Sequence, residues 1–292
     1  MDERPAPETA LALLSSSRSS DFKSCPLKYR FRTIDRLPET PSPAATRGTI
    51  VHSVLEHLFD LGPAERTPDA ALAMVEPEWR AALALEPELA GLFPGDDGSA
   101  EAEWLESARQ LVRTYFTLED PRQVEPDERE AYVCTALPAL GIEIHGYLDR
   151  VDVLADGGVV VSDYKTGRSP RDSYEEQALF QMKFYALLIW RTRGVLPKLM
   201  RLVYLGDGVQ CSYEPDADNL LRFERLQLGA LGTAISRALE TGDWRPRRSR
   251  LCDWCDFQAF CPEFGGTVPP LPERDVLPLL ASGTAEICTP EG

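Results

Sequence analysis

A carboxylate and an amine stand two residues apart at the end of a strand-like run, Val159 to Gly167. The run opens with three valines, which indicate a buried strand. Because side chains alternate along a strand, Asp163 and Lys165 point to one face and Tyr164 points to the other. A carboxylate and an amine placed in this way can hold a divalent cation beside the water molecule that it activates. For an isolated Asp-x-Lys, a surface ion pair is the simpler interpretation, so the surrounding elements must decide.

The segment that precedes this strand supplies a second carboxylate, Asp149. It is also strand-like, and Asp156-Gly157-Gly158 predicts a hairpin turn into the next strand. A three-residue loop at this turn pairs Asp149 with Lys165 and puts both on the face of Asp163. A two-residue loop would move Asp149 to the other face, so the position of this carboxylate depends on the register.

Two predicted helices carry further polar side chains. The first runs from Ile50 to about Asp60 and includes His52, for which an ordinary surface or packed imidazole is the simpler interpretation. The second, Ser173 to Arg193, carries Gln181 and Tyr185 at positions i and i+4, hence on one face.

The order of elements predicts an α/β fold, a small mixed sheet flanked by helices. We expect a flexible leader over residues 1–14, a single domain over 15–264 with an acidic helical insertion at about 62–130, and a disordered Pro/Gly-rich tail over 265–292. The N-terminus lacks the features of a signal peptide, and no apolar run approaches the ~20 residues of a membrane span. The sequence therefore predicts a cytoplasmic protein without a membrane segment.

The net charge of −16 argues at first against nucleic-acid binding. However, residues 51–130 hold 6 basic and 19 acidic side chains (6 − 19 = −13), so most of the negative charge lies in one segment that need not face a substrate. The basic residues are mostly arginine. The five lysines are Lys23, Lys28, Lys165, Lys183 and Lys198.

Seven cysteines in a chain without a secretion signal argue against a disulfide framework. Three of them form one cluster, Cys252-x2-Cys255-x5-Cys261, which needs a fourth ligand. Cys25 is the best candidate because it also precedes a proline, in a compact basic and aromatic element. Sulfur ligation suits zinc or an iron–sulfur cluster, and the spacing alone does not favour iron over zinc. Either group would join the N-terminal element to the C-terminal one.

Taken in order, these motifs resemble those of the RecB-like nucleases of the PD-(D/E)XK superfamily. They look closest to the iron–sulfur branch, which includes CRISPR-associated adaptation nucleases and the nuclease domains of helicase–nuclease complexes. The resemblance covers Ser15 to Pro262. Its motifs are His52 on a helix, Gly146-Tyr-Leu-Asp149, Asp163-Tyr-Lys165-Thr-Gly, Gln181-x3-Tyr185, and one early and three late cysteines.

The resemblance implies a role for each matching position in a two-part catalytic centre. His52, Asp149 and Asp163 would bind Mg²⁺ or Mn²⁺, together with the backbone carbonyl of Tyr164. Lys165 would orient or deprotonate the attacking water. A nearby cation should lower the pKa of Lys165 and favour a role as a base, although a charged lysine acting as an electrostatic clamp fits equally well.

The remaining motifs would support this centre. Gln181 and Tyr185 would position the DNA backbone or Lys165. The cysteines would hold a 4Fe–4S cluster that pins the chain ends around the nuclease core, which moves the preference from zinc to iron. They are Cys25, Cys252, Cys255 and Cys261.

The leading hypothesis is a metal-dependent DNA nuclease, an exonuclease acting on single strands or ends in DNA repair or recombination. No Gly-x4-Gly-Lys-Ser/Thr motif is present, so a helicase or a CRISPR adaptation protein acting with it would be a separate chain. One alternative is a catalytically silent module of the same fold that binds nucleic acid or a protein partner. Another is a zinc-stabilised structural protein in which Asp163-x-Lys165 is incidental.

Overall fold

The computed structural model describes residues 12–95, 97–170 and 175–272, and within these ranges six strands form one mixed sheet. The longest strand is central: β3 pairs antiparallel with β2 along one side, and with β1 (parallel) and β4 (antiparallel) along the other. β5 runs parallel to β4, and β6 runs antiparallel to β5. The strands are β1 (Ala12–Leu14), β2 (Glu128–Leu137), β3 (Ile142–Val153), β4 (Val159–Lys165), β5 (Leu199–Tyr204) and β6 (Val209–Tyr213).

Helices cover both faces of this sheet, which confirms the predicted α/β fold. One layer contains α1, α6, α7 and α8, and the other contains α3, α4 and α5. A π-helical segment, Glu224–Leu228, joins α7 to α8. The helices are α1 (Ser16–Ser24), α2 (Pro26–Tyr29), α3 (Pro43–Leu58), α4 (Pro68–Leu85), α5 (Ser99–Leu118), α6 (Glu175–Arg193), α7 (Ala217–Phe223) and α8 (Gly229–Thr241).

The alternation of side chains along β4 divides the core into two parts. Val159 and Val161 pack into the layer that contains α6, whereas Tyr164 packs into the layer of α3, α4 and α5. Asp163 and Lys165 continue the first set. The predicted placement of these two residues on one face, with Tyr164 on the other, is confirmed.

The predicted hairpin loop between β3 and β4 is too short. Val153 pairs with Val159, so five residues rather than three form the loop, and the expected pairing of Asp149 with Lys165 is wrong. The longer turn forms because Gly157 adopts a φ of 80° and the Asp156 carboxylate accepts a hydrogen bond from the backbone N–H of Gly158 (3.0 Å). Since the register moves by two residues, the facing of Asp149 is preserved.

The predicted flexible leader, residues 1–14, is too long by three residues at its C-terminal end. Residues 12–14 form β1, which pairs with residues 142–144 of β3, and Leu14 is fully buried. β1 fits there because β3 extends past the end of its pairing with β4 and leaves a free edge for a parallel strand. Residues 1–11 lie outside the described residues.

The helix that carries His52 begins earlier than predicted. α3 starts at Pro43, with the Ser42 hydroxyl accepting a hydrogen bond from the backbone N–H of Ala45 (3.2 Å). Proline at the first helical position lacks only an N–H that would be unpaired there anyway, so it starts this helix instead of preventing it.

The predicted insertion at 62–130 is helical but ends sooner. α4 and α5 lie within it, and β2 begins at Glu128. Both helices pack against α3 and bury Trp79 against Trp104, with ring centroids 4.8 Å apart. The insertion is therefore part of the core.

The first part of the predicted disordered tail, residues 265–272, is packed against the domain. Within 265–272, Val268 packs against the core and the Pro269 carbonyl accepts a hydrogen bond from the buried Arg30 guanidinium. Residues 273–292 lie outside the described residues, as do 171–174 at the predicted start of α6. None of the helices in the described part of the chain is both long enough and apolar enough to cross a membrane.

Candidate active site

The carboxylate of Asp163 lies at the end of β4, and each of its two oxygens contacts a neighbouring side chain. The Lys165 ammonium lies 2.6 Å from Oδ2, and the Gln181 side-chain amide donates a hydrogen bond of 2.9 Å to Oδ1. Asp163 is only 4% exposed, so these two groups replace most of its hydration. β4 and α6 therefore hold Asp163, Lys165 and Gln181 together, as predicted.

The carboxylate of Asp149 lies where β3, β4 and α3 meet. Its Oδ2 accepts a hydrogen bond of 2.6 Å from the backbone N–H of Tyr164, and the Nδ1 atom of His52 lies 3.5 Å from the same oxygen. His52 thus reaches the same centre from α3. His52 and Asp149, which lie far apart in the sequence, therefore come together here.

Glu130 is a further acidic residue at this centre, and sequence reasoning missed it. Its Oε1 atom lies 3.7 Å from His52 Nδ1, and ligand atoms of His52, Glu130 and Asp149 all lie within 4.8 Å of one another. Glu130 has a φ of 42°, and the ladder of β2 with β3 continues on both sides of Glu130 and Asp149 but is interrupted at these two residues. A non-glycine residue in this backbone region is strained, which is typical of functional sites.

The structure groups only part of the predicted ligand set, and Asp163 as a metal ligand stays a prediction. The structure groups His52 and Asp149 with Glu130, whereas Asp163 turns towards Lys165 because the ammonium is its nearest cation. The carbonyl of Tyr164 as a ligand stays a prediction. A sequence signal for Glu130 did exist: it is a carboxylate on the strand next to Asp149, and two like charges facing each other destabilise a strand pair unless a cation lies between them.

This set of donors fits Mg²⁺ or Mn²⁺. Carboxylate oxygens are the ligands that these hard cations prefer, and an imidazole is compatible with Mn²⁺. Burial and the nearby Glu130 raise the pKa of Glu56, a neighbouring carboxyl group on α3 that is outside this set.

The charges of the centre are strongly perturbed. Burial lowers the pKa of His52, but the adjacent Asp149 and Glu130 outweigh burial and raise it to about 10. Burial raises the pKa of Asp163 to about 6, although Lys165 opposes this effect. His52 is therefore a cation in this structure, and a metal ion would have to displace its proton, because a ligating imidazole must be neutral.

The charge closest to the Lys165 ammonium in this structure is an anion. Burial disfavours the ammonium, but the adjacent Asp163 carboxylate outweighs burial and raises the pKa of Lys165. The ion pair favours a lysine that stays charged. The lowering of this pKa by a bound cation stays a prediction.

Tyr185 packs beside the centre and depends on a glycine. A Cβ atom at Gly146 would lie 2.8 Å from Cε1 of the Tyr185 ring, so β3 can approach α6 here only without a side chain. Tyr185 also hydrogen-bonds Gln181. The predicted pair on α6 is thus linked, and through Gln181 it reaches Asp163.

The opposite face of the sheet holds Tyr164 in place. The Arg150 guanidinium, 1% exposed, donates a hydrogen bond of 2.7 Å to the Tyr164 hydroxyl and another of 2.8 Å to Glu119, which follows α5. It also pairs with Asp152 at 3.0 Å. The strand that carries Asp163 and Lys165 is therefore anchored to the helical layer behind it.

The four predicted cysteine ligands converge at one cavity of about 100 Å³ between α2 and the C-terminal segment. Backbone N–H groups donate to two of the sulfurs, from Arg247 to Cys25 (3.4 Å) and from Ser249 to Cys252 (3.3 Å). Such hydrogen bonds are features of sulfur-ligated metal clusters. The cavity has room for several atoms.

Comparison with known proteins agrees with this site. A sequence model described as the PD-(D/E)XK nuclease superfamily matches residues 13–262. The Gene 69 protein of Mycobacterium phage D29 is 25% identical over 271 residues, covering 87% of this chain and 98% of the phage protein. The Gene 69 protein of Mycobacterium phage L5 is 23% identical over 293 residues, covering 88% and 98%.

Among solved structures, a protein from Eubacterium rectale that is provisionally named an exonuclease has a similar fold. Its TM-score is 0.52 at 14% sequence identity, with 83% of this chain and 86% of that chain covered. The match of the sequence model begins within β1 and ends just after Cys261, so it spans the whole sheet. The chain belongs to the PD-(D/E)XK nuclease superfamily.

Proposed function

We propose that this protein is a Mg²⁺- or Mn²⁺-dependent DNA nuclease, a RecB-like exonuclease that hydrolyses phosphodiester bonds in DNA repair or recombination. The observation that carries the proposal is that two clusters of side chains lie next to each other at one strand end. One is the His52–Glu130–Asp149 cluster, and the other is the Asp163–Lys165 ion pair. The exonuclease name of the Eubacterium rectale protein supports the exonucleolytic mode.

Phosphodiester hydrolysis requires stabilisation of the extra negative charge that develops on the phosphoryl oxygens. The metal ion, held by His52, Glu130 and Asp149 with Asp163 beside them, would supply Lewis-acid stabilisation when bound. The Lys165 ammonium, kept charged by Asp163, adds positive charge on the α6 side. Gln181 fixes the orientation of Asp163, and thereby the position of the lysine.

The test is cleavage of end-labelled single- and double-stranded DNA with Mn²⁺ or Mg²⁺, comparing the wild type with Lys165→Ala. The variant must match the wild type in far-UV circular dichroism and in iron content. Loss of cleavage in the variant alone would support the proposal. Equal cleavage by both proteins would indicate a contaminant, and a wild type inactive with every metal would favour a silent binding module.

We also propose that Cys25, Cys252, Cys255 and Cys261 hold a 4Fe–4S cluster that joins the two ends of the domain. The cavity that the four cysteines share and the backbone N–H groups directed at two of the sulfurs support a sulfur-ligated group at this place. Anaerobic purification followed by iron, sulfide and zinc analysis tests it. About four irons and four sulfides per chain are expected for such a cluster, whereas one zinc without iron would contradict it.

A further inference from the structure

A groove of about 680 Å³ lies between α1 and α6, outside the site already described. Three of the chain's five lysines line it, Lys23 and Lys28 from the N-terminal helices and Lys183 from α6. Two carboxylates, Asp21 and Glu176, also line it, so the groove is net positive in a chain of net charge −16. We call it the lysine groove.

Two of these lysines have no carboxylate partner of their own. Within the described ranges, no carboxylate lies within 4.0 Å of the ammonium of Lys23 or Lys183, whereas Lys28 pairs with Asp21 at 2.9 Å. The other two lysines of the chain, Lys165 and Lys198, are both paired. Unpaired ammonium groups therefore concentrate in this groove.

Lys23 lies over an aromatic ring at the floor of the groove. Although most of its side chain is exposed, its ammonium lies 3.2 Å from the centroid of the Phe180 ring. Burial there lowers the pKa of Lys23 to about 8, despite the nearby Glu176. An anion bound beside Lys23 would stabilise its charged form.

The groove connects the catalytic centre with the cysteine cavity. At one end Gln177 lies one helical turn, about 6 Å along α6, from Gln181, which binds Asp163. At the other end Lys28 and Leu251 line both the groove and the cysteine cavity. The groove thus runs from the cysteine element towards the site of proposed cleavage.

The apolar part of the groove distinguishes between possible ligands. Leu179 is 37% exposed and Leu251 60% exposed, and both line the groove beside Phe180. Lysines next to exposed apolar side chains suit a strand whose phosphates and bases are both accessible. A duplex presents its phosphates but keeps its bases stacked inside.

We propose that the lysine groove holds a single strand of DNA, with its phosphates on Lys23 and Lys183, and leads it to the Asp163–Lys165 centre. This inference rests on the proposed nuclease function and adds the path and the strandedness of the substrate.

The test measures binding and cleavage separately. Binding of a fluorescent oligo-dT of about 20 nucleotides, longer than the ~4–16 that one binding fold covers, is followed by anisotropy in a Lys165→Ala background. Each phosphate contact to a single strand contributes about 0.7 to the slope of log affinity against log salt, or about fivefold in affinity at 0.1 M salt. The double change Lys23→Gln and Lys183→Gln should therefore weaken binding about 25-fold and reduce the slope by about 1.4.

Two control variants separate lost charge from lost folding. Lys198→Gln removes a lysine that directly precedes β5 and pairs with Asp156 of the β3–β4 turn, and it should leave binding unchanged. The double change to arginine keeps both charges and should restore the salt slope. With Lys165 intact, the glutamine double variant should raise KM for the oligonucleotide and leave kcat largely unchanged.

A double variant with the wild-type salt slope would overturn the inference, as would a protein that binds duplex as tightly as single strands. Failure of the nuclease proposal looks different. In that case the wild type cleaves no DNA with either metal. The loss of strand binding in the double variant would then still test the lysine groove as a binding site for single strands.

Discussion

The Arg150 guanidinium donates a hydrogen bond of 2.7 Å to the hydroxyl of Tyr164, whose own backbone N–H donates one of 2.6 Å to Asp149. Tyr164 therefore joins a buried charge network on one face of the sheet to a catalytic carboxylate on the other. Arg150 also pairs with Glu119 beyond α5, so the helical layer helps to set the position of Asp149.

We expect Arg150→Met to destabilise the fold by about 3–5 kcal/mol, because it leaves Glu119 and Asp152 buried without their partner. The measurement is the free energy of unfolding from urea titrations. Arg80→Met removes an exposed pair with Glu76 and should change stability by no more than about 1 kcal/mol. Similar losses in the two variants would refute the importance of this network.

Tyr164→Phe removes a single oxygen and leaves the backbone of β4 intact. We expect a loss of about 1–3 kcal/mol, because a buried donor of Arg150 loses its acceptor. Activity should need more Mn²⁺ for half-saturation, because losing the bond to Arg150 loosens the residue whose backbone N–H orients Asp149. A variant that is less stable but has an unchanged Mn²⁺ midpoint would limit Tyr164 to a structural role.

Glu130→Gln should raise the Mn²⁺ concentration needed for half-maximal activity by about 10- to 100-fold, because it removes a charge from the metal group. Titration of cleavage against Mn²⁺ measures this midpoint. Glu128→Gln, two residues earlier on β2, changes an exposed carboxylate that pairs with Arg193 and serves as the matched control. An unchanged midpoint for Glu130→Gln would remove this residue from the site.

The raised pKa of Asp163 predicts a specific dependence of stability on pH. In the unfolded chain the carboxyl ionises near its usual pKa of about 4, whereas the folded protein keeps the proton until about pH 6. Between these values the folded state binds more protons, so stability falls as pH rises and stays lower above pH 6. Asp163→Asn cannot ionise and should escape this loss.

We therefore expect Asp163→Asn to be inactive yet more stable than the wild type at pH 7 in a metal chelator. The upper limit is about 3 kcal/mol, reduced by the lost pair with Lys165. Urea unfolding between about pH 4 and 8 measures the difference, which should grow up to pH 6 and then level off. A variant less stable than the wild type throughout this range would contradict the assignment.

Gly146→Ala should impair catalysis, because the new methyl group would lie 2.8 Å from the Tyr185 ring and displace it. A shift of about 1 Å near the reacting groups can reduce kcat about 100-fold, with about 1–3 kcal/mol of lost stability. Steady-state cleavage rates measure the effect. Gly91→Ala, where nothing lies within 4 Å of the new atom, is the control and should behave like the wild type.

The sequence is enough to place the residues whose position depends on local periodicity. Alternation along β4 puts Asp163 and Lys165 on one face, and helical spacing puts Gln181 and Tyr185 on another single face. The length of the β3–β4 loop could not be predicted in this way, because it depends on the local turn geometry at residues 154–158.

Residues whose role depends on tertiary geometry could not be predicted in this way. Glu130 joins His52 only because its backbone adopts a positive φ next to Asp149, and strand patterns do not reveal such reversals. Arg150 looks like an ordinary strand residue, and its burial becomes evident only once α5 brings Glu119 beside it. The strand at residues 12–14 is too short for periodicity to detect.

The contacts between the first and last parts of the domain affect how the chain is synthesised. Tyr29 stacks on Trp244 with ring centroids 6.1 Å apart, and Phe31 packs 5.6 Å from Phe257. On the ribosome, these N-terminal aromatic residues emerge more than two hundred residues before their partners. Until these contacts close, the N-terminal aromatic residues leave an apolar surface exposed on the nascent chain, which favours aggregation and recognition by chaperones.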